Sequence, residues 1–206
     1  MRGTPTLPDR PGSGFTLPEL LAVLAIVGGL WLVGNLGLAR APDARLRAVV
    51  HELVLTMRVA RARAITLNHP VYVDFAPAPL HPADGVYTAF ADLDGDHLEG
   101  PGEREAAQVL LDGFRSGRTV KSLPRGIRFG APGVAKGPGG STVFADGVSF
   151  SGGADRVAFF PGGNAGAGTV YLSTGDDELV TWAVRTNLSG TIESWSYEEG
   201  RWRRRS

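Results

Sequence analysis

Residues 14–21 read Gly14-Phe15-Thr16-Leu17-Pro18-Glu19-Leu20-Leu21, and an apolar run continues from there to Ala39. Between Leu20 and Leu38 there is no charged residue, and Asn35 is the one strongly polar side chain. That is close to the roughly 20 residues a membrane-spanning helix needs. A single carboxylate at the mouth of such a helix requires an explanation, because an ionised acid in hydrocarbon costs several kcal/mol unless it is paired or held near the headgroups. The amine released by cleavage after Gly14 is the obvious partner for Glu19. A secretory signal peptide has a different layout, with a shorter apolar core and a small-residue cut site after that core rather than before it.

Working outward, residues 1–14 form a short polar leader in which Arg2 and Arg10 outnumber Asp9 and three prolines discourage helix. A positive flank stays cytoplasmic, which orients the anchor with its C-terminal side outside. Pro18 is tolerable in a first helical turn, where its missing N–H has no partner in any case. Gly28, Gly29, Gly34 and Gly37 allow close backbone approach or local unwinding within the apolar segment. From Asp43 the pattern turns amphipathic, with Leu46, Val50, Leu53, Met57, Ala60, Ala64 and Leu67 recurring three and four apart. Arg45, Arg47, Arg58, Arg61 and Arg63 fall on the other faces. The simplest expectation is one continuous helix of about 45 residues, half in lipid and half docked on a domain, ended by Asn68-His69-Pro70.

After Pro70 the period changes to two: Val71, Val73 and Phe75 alternate with Tyr72 and Asp74. Further strand candidates lie at 86–91, 108–111, 119–123, 127–129, 148–150, 156–160, 169–173, 179–185 and 191–197, nearly all separated by glycine, proline, aspartate or asparagine. The chain of 206 residues carries 29 glycines, many of them after Pro124, which favours tight turns between strands. There is no cysteine, hence neither a disulfide nor a thiolate site, and the formal net charge is zero, so no global field draws the chain to nucleic acid. A long helix followed by antiparallel strands is an α+β domain with the helix covering a sheet face.

The stretch Gly14 to Leu21 resembles the class III signal of type IV prepilins and type II secretion pseudopilins. Ala60-Arg61-Ala62-Arg63-Ala64-Ile65-Thr66-Leu67-Asn68-His69-Pro70-Val71 and Val157-Ala158-Phe159-Phe160-Pro161-Gly162-Gly163 resemble the helix end and the later F-x-P-x-G region of the GspH/FimT group of minor pilins. The resemblance implies a type IV pilin-like fold, with a long N-terminal helix, transmembrane then amphipathic, packed on an antiparallel sheet domain. It implies cleavage after Gly14 by prepilin peptidase, methylation of Phe15, and neutralisation of a neighbouring subunit's N-terminal amine by Glu19. The expected partners are other pseudopilins or pilins, the inner-membrane assembly platform and membrane lipid. The expected location is the inner membrane, single-pass, with the C-terminal domain periplasmic. The expected segments are a leader (1–14), a transmembrane helix (15–39), an amphipathic continuation (40–69), a β-rich domain (70–200) and a basic tail (201–206). The implied function is that of a minor pseudopilin at or near a pseudopilus tip in type II secretion. The alternative is a FimT-like minor pilin of a type IV pilus, binding DNA in natural transformation.

Two motifs carry possible chemistry. Asp92-Leu93-Asp94-Gly95-Asp96-His97-Leu98-Glu99-Gly100-Pro101-Gly102-Glu103 places acids at the first, third, fifth and twelfth places of a twelve-residue loop. That is the spacing of a calcium loop with ligands from Asp92, Asp94, Asp96, the Leu98 carbonyl and Glu103. His97 stands where glycine is usual and must accept a left-handed turn conformation; the other reading is a metal-free acidic turn. Arg201, Arg203, Arg204 and Arg205 surround Trp202 in a pattern suited to phosphate contacts, or to a solvated terminus. The position aligned with the DNA-contacting Gly-Arg-x-Arg element of transformation-related members reads Gly190-Thr191-Ile192-Glu193, lacking both arginines. No enzyme is expected: His51, His69, His81 and His97 lack metal-ligand spacing, and Gly162 to Gly166 has no phosphate-loop lysine. Beyond the calcium reading, no cofactor is expected.

Overall fold

The computed structural model describes residues 17–38, 41–76, 85–103, 106, 120–151, 155–175 and 180–205. It divides into two compact units, Met1–Ala41 and Pro42–Ser206. The first contains helix α1 (Leu17–Leu38). Its side chains are described over 17–28, where Leu17, Leu20, Leu21, Val23, Leu24, Ile26 and Val27 are all exposed. Among the described residues no helix is long and apolar enough to cross a membrane. Helix α2 (Ala41–Leu67) belongs to the second unit from Pro42 onward. Two helices are thus described where the sequence suggests one, residues 39 and 40 lying outside the described residues.

The predicted stripe is the buried face of α2. Leu46, Val50, Leu53, Met57, Ala60 and Ala64 are each at most 2 % exposed, and Leu67 packs at the margin. Full burial of an aliphatic side chain of this size stabilises by about 1.5–3 kcal/mol, so this face fixes α2 to the sheets. The helix ends because Asn68 takes φ 56°, a left-handed capping conformation that asparagine tolerates, two residues before Pro70.

Strands β1 (Val71–Ala76), β2 (Val86–Ala91), β3 (Val120–Ser122) and β6 (Arg156–Phe159) form one antiparallel sheet in the order β3-β2-β1-β6. Strands β4 (Ile127–Phe129), β7 (Gly168–Thr174), β8 (Thr181–Thr186), β9 (Ile192–Glu198) and β10 (Arg201–Arg204) form the second in the order β10-β9-β8-β7-β4, and β5 (Val148–Phe150) also pairs with β7. One core joins α2 to Val73, Val157, Phe159, Val170, Leu172 and Val184 from both sheets. On the other face of the second sheet, Tyr171 and Ala183 are buried by Ala131 and Val134 from the β4–β5 connection. Covered on both faces, β7 and β8 are almost continuously buried rather than alternating. The antiparallel α+β domain agrees with the expectation from sequence, and among the described residues nine of the ten strands fall on predicted segments. The tenth corrects it: residues 201–204, read as part of a basic tail, are an edge strand. The candidate strand 108–111 lies outside the described residues.

Candidate functional site

The processing residues Gly14 and Phe15 lie outside the described residues, and Glu19 is exposed in the first turn of α1. The acidic loop is fully placed. It leaves β2 at Ala91, where the Asp92 N–H donates to the Pro70 carbonyl (2.9 Å) and so ties the loop to the end of α2. Asp92 is 0 % exposed and is spanned from two sides: Gly95 N–H donates to its Oδ1 (2.7 Å) and His97 Nδ1 lies 2.9 Å from its Oδ2. His97 Nδ1 also lies 2.9 Å from the Tyr72 hydroxyl. His97 has φ 65° and Gly95 φ 83°, so the histidine takes the left-handed turn its position demands. Asp94 and Asp96 are exposed, and each accepts the backbone N–H two residues on, from Asp96 (3.1 Å) and Leu98 (2.7 Å).

Carboxylate oxygens of Asp92, Asp94 and Asp96 lie within 4.8 Å of one another. Two oxygens bound to one calcium ion at about 2.4 Å are at most about 4.8 Å apart, so these three residues fit a shared cation. Glu103 stands outside that group. It is buried, and its carboxylate accepts the N–H groups of Leu93 at Oε1 (2.6 Å) and Gly100 at Oε2 (2.7 Å), closing the loop base as a hydrogen-bonded staple.

Arg156 on β6 fixes the loop to the first sheet. Its Nη1 donates to the His97 carbonyl (2.7 Å), its Nε lies 2.9 Å from Asp74 Oδ1, and its guanidinium sits over the rings of Tyr72 (5.6 Å) and Phe90 (5.8 Å). Burial pushes the Asp74 carboxyl upward in pKa while Arg156 pulls it back. Burial, followed by the nearby Asp92 charge, raises the Tyr72 phenol. Arg156 and Tyr72 carried no functional signal in the sequence, because each belongs to a short alternating strand.

Three of the four C-terminal arginines, Arg203, Arg204 and Arg205, are engaged with acids of the protein itself. Arg203 pairs with Glu199 (3.0 Å) and lies 3.7 Å from Glu198, Arg204 pairs with Glu193 (3.1 Å), and Arg205 pairs with Glu198. Trp202 donates from Nε1 to the Lys136 carbonyl (2.8 Å) and packs against Tyr197 and Tyr171. Three acids thus offset most of the local positive charge, which leaves little for a phosphate backbone. The Ser196 hydroxyl, then Arg205, holds the Glu198 carboxyl below its ordinary pKa.

A second arginine missed as a structural residue is Arg61. It reads as part of the solvated face of α2, yet its Nε donates to the Gly163 carbonyl (2.7 Å) and its Nη2 to the Ser189 carbonyl (3.3 Å). It clamps the Phe160–Ala165 turn and the Asn187–Thr191 turn to the helix, between the small residues Ala60, Ala62 and Ala64.

No curated protein and no solved structure matches the chain. A family model described as type II transport protein GspH matches residues 49–190, a span running from the buried face of α2 to the Asn187–Thr191 turn. With most of the chain inside that match and an antiparallel α+β domain beneath it, the protein belongs to the GspH family of type II transport proteins.

Proposed function

We propose that the chain is a minor pseudopilin of a type II secretion system, anchored in the inner membrane with its Pro42–Ser206 unit in the periplasm and assembled at or near the tip of a pseudopilus. The family is one of structural pseudopilins, with other pseudopilins as partners. The observation that carries the finer reading is the order glycine, phenylalanine, then an acid four residues on, followed by the uncharged segment from Leu20 to Leu38. In this reading prepilin peptidase cuts after Gly14, Phe15 is methylated, and the assembly platform extracts the subunit from lipid. Glu19 neutralises the N-terminal amine of a neighbour, which removes the cost of a lone carboxylate in an apolar environment. The pairing of Arg203, Arg204 and Arg205 with acids of β9 and its turn supports secretion over DNA uptake.

Function is then association rather than bond chemistry. Mass spectrometry of the chain purified from its native membrane tests the reading: the expected N-terminus is a methylated Phe15. An intact Met1 terminus, or cleavage after the apolar run, would refute it.

A further inference from the structure

We propose that, before assembly, the outward face of α2 rests on the bilayer surface with its arginines on anionic phospholipid headgroups. The contact rests on the membrane-anchor reading above and adds a lipid-binding face to the Pro42–Ser206 unit. α2 carries Arg45, Arg47, Arg58, Arg61 and Arg63 against Asp43 and Glu52, although the chain as a whole has no net charge. Both acids are half-buried and paired, Asp43 with Arg47 and Glu52 with Lys121. Arg45 and Arg58 are exposed, with no ion pair among the described residues.

Away from the stripe that packs on the sheets, Ala48, His51, Leu55, Arg58, Ala62 and Ile65 recur three and four apart and are all exposed. Leu55 is 46 % exposed and Ile65 51 %, and none of the exposed residues of α2 is acidic. Leu188, also exposed, borders the end of this face in the Asn187–Thr191 turn that Arg61 holds to the helix. Apolar side chains mixed with cations and free of acids suit the headgroup boundary, where aliphatic groups enter the acyl edge and arginines reach the phosphates. Duplex DNA offers the same phosphates but nothing for Leu55 and Ile65. α2 starts at Ala41, close after Leu38 closes the uncharged segment, so its first turns are within reach of the surface from which the chain emerges. Pro42 stands in its first turn and has no N–H to donate to a preceding carbonyl, which marks a helix start rather than a continuation. A helix that starts afresh there can lie along the surface.

Because the chain has no cysteine, single labels can report on this face in full-length protein reconstituted into vesicles. Leu55→Cys and Ile65→Cys, each carrying an environment-sensitive fluorophore, are compared with Phe144→Cys in the β4–β5 connection, which packs on the other face of the second sheet. In vesicles of phosphatidylcholine with phosphatidylglycerol, acrylamide should quench the labels at 55 and 65 about threefold less than in phosphatidylcholine alone. The label at 144 should be quenched equally in both. Arg45→Glu combined with Arg58→Glu should remove the difference, as should high salt. Arg45→Gln with Arg58→Gln replaces that pair if it is not recovered folded. Equal quenching in both lipids, or protection that survives the double substitution, overturns the contact. So does protection given by duplex DNA but not by the anionic vesicles. Alkaline carbonate extraction of native membranes judges the anchor separately: a released chain would refute the anchor reading, while protection by added anionic vesicles would still decide the headgroup contact.

Discussion

Replacing Gly190 by alanine should destabilise the domain far more than replacing a turn glycine ordinarily does, because Gly190 is buried. Gly190 has φ 75°, and a Cβ there would stand 2.1 Å from the Gly163 carbonyl oxygen and 2.7 Å from Arg61 Nε. The left-handed conformation alone costs an L-residue about 1–2 kcal/mol. The clash falls on the atoms of the Arg61–Gly163 hydrogen bond, and a bond to a charged donor contributes about 1.5–3 kcal/mol. Allowing for non-additivity, Gly190→Ala should cost about 3–4 kcal/mol, a large part of the 5–15 kcal/mol that holds a domain of this kind together. Gly200 provides the control, since it has φ 77° with open space around it and should lose only the conformational part, about 1 kcal/mol. Urea unfolding of the Pro42–Ser206 unit, followed by the fluorescence of Trp182, Trp195 and Trp202, compares the two. In an Arg61→Ala background the extra penalty of Gly190→Ala should shrink, because part of the interaction it destroys is already gone. Equal losses for Gly190→Ala and Gly200→Ala would refute the clamp.

Trp202→Ala should destabilise the domain by about 2–3 kcal/mol in the same assay through lost aromatic packing and the lost bond to Lys136, while Arg201→Ala changes it by less than about 0.5 kcal/mol. Burial pushes the Tyr87 phenol up to about 12, the Thr56 hydroxyl pulling weakly the other way. The folded state therefore keeps this proton when the unfolded chain has lost it, and stability is full below pH 10 and falls as pH rises toward 12. Two pKa units correspond to about 3 kcal/mol, so Tyr87→Phe should flatten the alkaline limb of stability against pH by that order. We further propose that the acidic loop binds calcium with the millimolar affinity of extracellular sites, in which case 10 mM calcium at a Kd of about 1 mM adds about 1.4 kcal/mol. Thermal unfolding with and without calcium checks this, and Asp94→Ala with Asp96→Ala should abolish the gain; no shift in the parent chain would leave the loop a metal-free turn.

Where burial follows period, the fold was legible. The α2 stripe from Leu46 to Ala64 and the alternation Val71, Val73, Phe75 are each one-faced patterns that water alone sorts. β10 escaped because its sequence, Arg-Trp-Arg-Arg, has no apolar alternation; what pairs it is the acids of the preceding hairpin, Glu193, Glu198 and Glu199, whose relevance depends on register. Arg61 escaped for a related reason. A long cationic side chain reads as solvated, and only the approach of two turns, permitted by Gly163 and Gly190, supplies carbonyl partners. The acidic loop was half legible: the spacing identified Asp92, Asp94 and Asp96 as convergent and His97 as left-handed. It did not reveal that Glu103 closes the loop base, because the Leu93 and Gly100 N–H groups it accepts leave no mark on composition.

The hydrogen bonds of that loop also bear on how it takes a metal. Asp92 and Glu103 are satisfied by backbone and histidine groups without any ion, so the loop is formed in advance and a cation changes its charge more than its shape. Asp94 and Asp96 remain exposed, each holding one backbone N–H, and are the carboxylates through which a cation would enter. Asp94→Ala with Asp96→Ala should therefore remove the calcium-dependent rise in melting temperature while changing the melting temperature in EDTA little. A large fall in EDTA would mean that these two carboxylates brace the loop itself, and that the loop is not formed in advance of the metal.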